Sequence, residues 1–574
     1  MCDFQVIKKQ HRHEQLIAYG IGVALIIYFL QNGWGSWGMG VTSDYALDLT
    51  DALRAFQGDK PYKDYLPSYG MLHIILVAPL YKIGKLFFPC YWILTALLIV
   101  IQLFLIIHCA IRRISRVWLI TFIFLYVNTV AFAPTNSKFV LGFSQSGFLG
   151  SILWIFILTL LWRKRRTFFH IFMAGLLLGL EPYTKIDMGI TSIIIFLMLI
   201  LIYLKGRPLK WVIHIFGFAL SWLLCYLGLV FYGSEPRLIY ESAIEGFGQA
   251  TLIHDHILSI YFLMLAIFGL VIGCGLCFSK SRFFILKLQR NMGPIFIWML
   301  PIAIIIDIFR SLHQGPIKNL VTLNYLWAFI WIMITARLLS TSFRYGIACM
   351  IRKIPIPILL MIIISGMGLM RVAITGWYPL NYYQPILLIL AILWFASRPF
   401  PLAPWKRLSF ACLLFICLLL QTGHVLKSQN KHRCTFVDTP YGKVGVSLDD
   451  QSLYDLDRIL VLCKAAPNGE SLLTTYEPSF HLFTGFRYAE FYTYFQRLAF
   501  SGQYRKMREE ESLDFFKKRT PFYVLKEVER ATFSKKFGVD YGIAINQWIE
   551  SNYNIIYRSN PVSITQYILY QKRI

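Results

Sequence analysis

Long apolar runs punctuated by short clusters of Lys and Arg recur from Leu16 to about His424, and no other feature restricts this chain as much. Roughly twenty such residues, wound as a helix rising ~1.5 Å per residue, cross the ~30 Å of bilayer hydrocarbon. In that medium every backbone N–H and C=O needs a partner within the chain, so the runs predict helices. Composition agrees: 57% of the 574 residues are hydrophobic and 15% are charged, against roughly a quarter charged in soluble domains. A formal net charge of +26 would suggest nucleic acid if it were spread over a basic domain with interleaved aromatics. It is confined to clusters between apolar runs, which is how membrane proteins set their orientation, so no nucleic-acid partner is expected.

The basic clusters lie at Lys8 to Arg12, Arg112 to Arg116, Arg163 to Arg166, Lys205 to Lys210, Lys280 to Arg290, Arg337 to Lys353 and Arg398 to Arg407. Successive clusters enclose two apolar runs, except the first pair, which encloses three, near 16–34, 70–88 and 90–111. One of the three cannot cross. The middle run carries His73, Lys82 and Lys85 and follows a polar loop, so it is read as a helix lying at the outer interface. About thirteen spans then remain, near 16–34, 90–111, 117–133, 147–162, 168–183, 189–204, 211–231, 257–278, 293–309, 320–338, 354–371, 382–397 and 408–424. An odd count with a cytoplasmic N-terminus puts the C-terminal tail outside. Lys8, Lys9, Arg12 and His13 before the first run look like a signal-peptide n-region, but no small-x-small cleavage site follows, which predicts a signal anchor. Fourteen of the 30 acidic residues precede residue 425, and all but Asp3 and Glu14 fall in or beside outer loops under this topology. Ionisable groups at the ends of spans are costly unless a wet site holds them, so any chemistry is expected on the outer face.

The first outer loop, about 35–69, contains Ser43-Asp44-Tyr45-Ala46-Leu47-Asp48-Leu49-Thr50-Asp51-Ala52-Leu53-Arg54, a short helix with Ser43 as a candidate N-cap. Spacings of four and three place Asp44, Asp48 and Asp51 on one face. Acids in a first turn suit the helix dipole and a solvated surface; an acid turned into a cleft would instead serve as a general base. Lys185 lies between Glu181 and Asp187 at a helix junction, either as part of a self-neutralising cluster or as a point charge for a phosphate. Arg237, Arg310 with His313 and Lys318, and Arg371 before Gly376-Trp377-Tyr378 mark the outer ends of later helices. Snorkelling to lipid headgroups accounts for each singly, whereas a leaving phosphate would need several of them. His254-Asp255-His256 has metal-ligand residue types, but adjacent ligands on a helix diverge, so no metal site is assigned and a divalent cation in the acidic loop stays open. Cys274 and Cys277 form a lone CxxC, and Cys434 and Cys463 are the two cysteines of the tail, a candidate disulfide pair if that side is oxidising.

The tail from 425 to 574 carries 16 of the 30 acids, β-like runs at Ser471 to Thr475 and Pro521 to Leu525, and helix-like segments at Asp455 to Lys464 and Arg505 to Lys518. That alternation predicts a small α/β domain. It holds no nucleophile elbow, phosphate loop or metal cluster.

Asp44 and its helix, then Gly58-Asp59-Lys60-Pro61-Tyr62-Lys63-Asp64-Tyr65 and Tyr69-Gly70 opening an apolar helix, resemble the first outer loop of GT-C fold glycosyltransferases, nearest the glycosyltransferase 39 group, protein O-mannosyltransferases and the aminoarabinose transferase of lipid A. Thr184-Lys185-Ile186-Asp187-Met188-Gly189 is similar to the Lys-x-x-x-Gly segment near the lipid-phosphate site of that family. Many members have Asp-Glu where this chain has Asp44-Tyr45, and Met71 stands where they have Pro, so the resemblance is to the superfamily. It implies an all-α polytopic membrane domain of GT-C type over 1–424, an interfacial helix at about 70–88 and an extracytoplasmic α/β domain over 425–574. It also implies inverting transfer of a sugar from a polyprenyl-phosphate donor to a lipid, glycan or protein acceptor, at the outer face of a bacterial plasma membrane and among its lipids. Asp44 maps onto the catalytic base; Asp48, Asp64, Tyr69 and Asp187 are expected to orient the acceptor or the site, and Lys185, Arg310, Lys318 and Arg371 to bind the donor phosphate. A lipid or solute transporter is the competing class. Repeated halves and mid-membrane ionisable groups would mark it, and neither is evident.

Overall fold

The structure is a computed structural model that describes residues 19–24, 44–67, 70–110, 145–162, 167–203, 207–242, 356–375, 435–446, 450–464, 471–475, 479–490, 505–528, 536–560 and 566–573, with isolated helical positions between them. Its described membrane helices follow the apolar runs. They are α1 (Asp44–Phe56), α2 (Met71–Val77), α3 (Phe87–Ala110), α4 (Gln145–Leu161), α5 (Phe168–Leu180), α6 (Ile186–Met198), α7 (Pro208–Tyr232) and α8 (Ile356–Thr375), of which α1 is the first-loop helix. By length and composition, Pro208–Tyr232 and the continuous stretch Met71–Tyr91 are long and apolar enough to cross a membrane. On α3, Ile93, Leu97, Ile101 and Phe104 form an exposed stripe while Ile99, Leu103, Ile106 and Ile107 are buried on the other side. Leu209, Val212, Phe216, Leu224 and Phe231 extend a similar exposed stripe down α7. A chain that is apolar on its inner and outer faces together is solvated by lipid, because in water such stripes would be aggregation surfaces. The protein is an integral membrane protein.

The run read as one interfacial helix at 70–88 is broken. α2 ends at Val77, Ala78–Leu86 continues as a 3₁₀ segment with Pro79 in its first turn, and Gly84 (φ 58°) turns the chain into α3. Gly84 is one of the positions where a left-handed backbone requires glycine. α5 and α7 pack closely through small residues spaced by four. A Cβ on Gly175 would meet the His214 carbonyl oxygen at 2.3 Å, one on Gly179 the Phe218 carbonyl oxygen at 2.4 Å, and one on Gly217 the Phe172 carbonyl oxygen at 2.5 Å. Buried polar groups join other helices: Tyr126 donates to Gln102, Gln102 donates to Ser151, both at 2.5 Å, and the Trp154 indole donates to Ser192 at 3.1 Å.

The tail holds β1 (Thr435–Thr439), β2 (Gly442–Val446), α9 (Asp450–Lys464), β3 (Ser471–Thr474), α10 (Ser479–Thr484), β4 (Arg487–Tyr488), α11 (Arg505–Lys518), β5 (Tyr523–Val528), α12 (Ile543–Asn552), β6 (Tyr553–Arg558) and β7 (Gln566–Lys572). β1 and β2 form a separate hairpin, and the main sheet runs β4-β3-β5-β7-β6, parallel from β4 to β5 and antiparallel from β5 to β6. The predicted α/β alternation is present, with α9 and α11 where the sequence places them; the hairpin and the antiparallel β6–β7 pair are not anticipated by it. Cys463 is a buried free thiol, pushed up to about 12 by that burial, and its candidate partner Cys434 lies outside the described residues.

Candidate active site

α1 is enclosed on nearly every side, with Leu47, Leu49, Thr50, Asp51, Ala52, Leu53 and Arg54 all buried. The 3₁₀ segment supplies Tyr81, whose hydroxyl donates to the Leu49 carbonyl at 2.8 Å, and the loop supplies Tyr65, whose hydroxyl donates to the Asp51 carbonyl at 2.9 Å. Burial, with the nearby Asp51 charge adding to it, holds the Tyr65 phenol far above its ordinary value, so it stays a donor. Asp44 opens α1 and Asp48 lies one turn on, both placed by their backbone.

The loop after α1 is stitched down from three directions. Arg54 Nε binds Asp59 at 3.1 Å and its Nη2 donates to the Asp64 carbonyl at 3.3 Å. Arg519 of the tail binds Asp59 at 2.9 Å and Asp64 at 3.4 Å. Beyond α7, Ser234 donates to the Pro61 carbonyl at 2.7 Å and the Glu235 amide to the Tyr62 carbonyl at 2.9 Å. Asp64 also accepts from the Lys60 amide at 2.9 Å. The Asp64 carboxylate is therefore engaged in holding the loop and the tail together.

The second motif meets the first directly. Gly70 donates its amide to the Thr184 carbonyl at 3.1 Å and lies so close to the 3₁₀ turn Glu181–Tyr183 that a Cβ would fall 2.2 Å from the Tyr183 carbonyl oxygen. Lys185, extended and half-buried, is the N-cap of α6, and Asp187 sits in its first turn. Gly189 is needed for close packing, since a Cβ there would meet Pro182 at 2.7 Å. Glu181 is fully buried, accepts from the Thr184 hydroxyl at 3.2 Å, and lies against Gly150 of α4. Thus α1, the Glu181 to Lys185 turn and the start of α4 converge at one end of the bundle. Arg371 is a position on α8, and Tyr69, Arg310, Lys318 and the His254 to His256 segment lie outside the described residues. Among the described residues no cluster of His, Cys, Asp and Glu is arranged to hold a metal.

The tail closes over α1. Arg54 is entirely buried, with its Cζ 4.3 Å from the Tyr65 ring centre and 4.8 Å from that of Tyr488 in β4. Gln57 donates to the Gly485 carbonyl at 3.2 Å. Arg508 of α11, also fully buried, binds Glu241 at 2.8 Å in the helical turn beyond α7, where Arg237 binds the other oxygen at 2.6 Å. Sequence reasoning singles out neither Arg54 nor Arg508 as a site residue. Arg54 stands in the first-loop motif with Asp59, Asp64 and Tyr65 close by in sequence, but the ring of Tyr488 that covers it lies more than 400 residues away, and spacing along the chain carries no trace of that partner.

An archaeal oligosaccharyltransferase from Archaeoglobus fulgidus, AglB, solved in complex with an inhibitory peptide and a dolichol-phosphate, superposes with a TM-score of 0.51 at 12% identity, covering 98% of this chain and 74% of that one. The chain has the GT-C fold. A second GT-C structure, ArnT from Cupriavidus metallidurans bound to undecaprenyl phosphate, aligns with a TM-score of 0.45 at 11% identity over 96% of this chain and 97% of that one. No protein-family model matches the sequence, and no curated protein matches it. Both neighbours are polytopic membrane proteins with a C-terminal domain.

Proposed function

We propose that this protein is a membrane glycosyltransferase that moves a sugar from a polyprenyl-phosphate donor to a lipid, glycan or protein acceptor on the extracytoplasmic face, with inversion at the transferred carbon. The supporting observation is the docking of the end of the acidic first loop, at Gly70, onto the turn that carries Lys185, in a chain that shares its fold with an enzyme solved with a dolichol-phosphate. Asp44 accepts the proton of the acceptor nucleophile, which attacks the anomeric carbon as the bond to the phosphate oxygen breaks and its electron pair leaves with the phosphate. Lys185, with one or more of Arg310, Lys318 and Arg371, stabilises the charge that builds on that phosphate. Asp48, Tyr69 and Asp187 orient the acceptor or the site. Asp64 orients through the loop it pins, a role supported by its bonds to the Lys60 amide and Arg519.

The membrane domain spans 1–424 with about thirteen crossings, the broken 71–86 segment lies at the outer interface, and the domain from 425 lies outside a bacterial plasma membrane. The lipid tail of the donor lies between helices, which is the physical reason for building such an enzyme inside a bilayer. The test is transfer from a radiolabelled polyprenyl-phosphate-sugar pool to membrane acceptors, comparing wild type with Asp44→Asn at equal expression. Loss of at least a hundredfold is expected, the lower end of what a general base supplies; undiminished transfer by the variant would remove Asp44 from this role, and none from wild type would remove the activity.

A further inference from the structure

One buried chain of side chains runs from the tail sheet into α1. Glu490 accepts from the Thr474 amide at 2.6 Å, the Thr474 hydroxyl at 3.1 Å and the Ala489 amide at 3.1 Å, and its Oε1 lies 3.2 Å from His481 Nε2. The His481 ring stacks on Tyr488 with centres 3.4 Å apart, Tyr488 faces Arg54, and Arg54 faces Tyr65, whose hydroxyl holds the Asp51 carbonyl. Glu490, His481, Tyr488, Arg54 and Tyr65 are all buried.

Taking a guanidinium wholly out of water is costly unless its partners are well placed. Arg54 has one carboxylate, one carbonyl and two ring faces, while its Nη1 is buried with no hydrogen-bond partner. A ring face and a fork of this kind tolerate little displacement. Arg54 is in the last turn of the 13-residue helix that Asp44 begins, a rod of about 20 Å, so a shift of the tail is carried along it to the acidic end.

We propose that Arg54 is a positioning residue through which the C-terminal domain sets the place of the acidic helix, making that domain a working part of the site. The kinetic part of this rests on the glycosyl-transfer reading; the coupling itself does not. The experiment uses the full chain in lipid nanodiscs, with Arg54→Lys, which keeps the charge and loses the fork, and Tyr488→Leu, which leaves every charge in place. Backbone hydrogen exchange is followed in 44–56 and in β3 and β5, and donor KM and kcat are measured on the same samples. Expected in both variants is at least a tenfold rise in exchange over 44–56 with β3 and β5 unchanged, and a kcat at least tenfold lower with donor KM within twofold. Exchange over 44–56 that is unchanged, or that rises equally in β3 and β5, overturns the proposal, as does a kcat unaffected by a loosened helix. If wild type transfers no sugar, the functional reading fails, and the exchange pattern still decides the coupling; if Arg54→Lys does not fold, Tyr488→Leu decides it alone.

Discussion

A single methyl group at Gly70 would lie 2.2 Å from one backbone carbonyl oxygen and 2.4 Å from the next, those of Tyr183 and Thr184. Neither neighbour is the end of a flexible side chain, so Gly70→Ala has to push the first loop away from the Lys185 turn. Overpacking of this kind costs about 1–3 kcal/mol or more, and a lower thermal midpoint of the purified protein is expected, with transfer falling alongside it. Cys463 gives a contrasting residue-scale prediction. Its thiol is buried and held near 12, so the reactive thiolate is nearly absent at neutral pH. Maleimide should leave Cys463 unmodified in the folded protein and label it on denaturation, as read by mass spectrometry of the tail peptide.

Among elements, α5 and α7 owe their close approach to backbone against backbone, and two glycines of α7 separate packing from helix propensity. Gly217 faces the Phe172 carbonyl oxygen and the Leu176 amide, whereas a Cβ on Gly228 would meet nothing within 4 Å. Gly217→Ala should destabilise by about 1–3 kcal/mol, while Gly228→Ala should be neutral or slightly stabilising, by up to ~1 kcal/mol from helix propensity. Thermal melts of both variants in one detergent check this, and equal shifts would refute the packing account. The Gly175/Gly179 and Gly217/Ser221 spacings are visible in the sequence, but every span contains small residues, and which helix faces which is settled only when the bundle is assembled. The broken 71–86 segment divides in the same way: Pro79 and Gly84 announce a break, and the 3₁₀ geometry between them follows from packing Tyr81 onto α1.

At the scale of the molecule, the tail is fastened to the membrane domain by ion pairs as well as by the Arg54 stack, which makes docking sensitive to pH. Partial burial pushes the Glu241 carboxyl up, but hydrogen bonds from Arg237 and Arg508 more than reverse this and hold it below its ordinary 4.5. Its contribution is therefore fully present above the ordinary value and is lost as pH falls through the depressed one. Tail docking, read by hydrogen exchange of α11, should be constant from neutral pH to about 5.5 and weaken in acid below the ordinary carboxylate range, with Glu241→Gln flattening that dependence. The chain's order alone determined that it lives in a bilayer, where its described helices run apart from the break at 78–86, and that an α/β tail follows them. Those properties rest on hydropathy, periodicity and local motifs, whose physics acts within a few turns of chain. Only the tertiary structure decided that Gly70 seats the loop on the lysine turn, that Asp59 and Asp64 are held by arginines from two domains, and that Arg54 lies under Tyr488. Apart from the local Arg54 bonds to the loop, each of those contacts joins groups far apart in sequence, and pairing of that kind leaves no period or spacing to read.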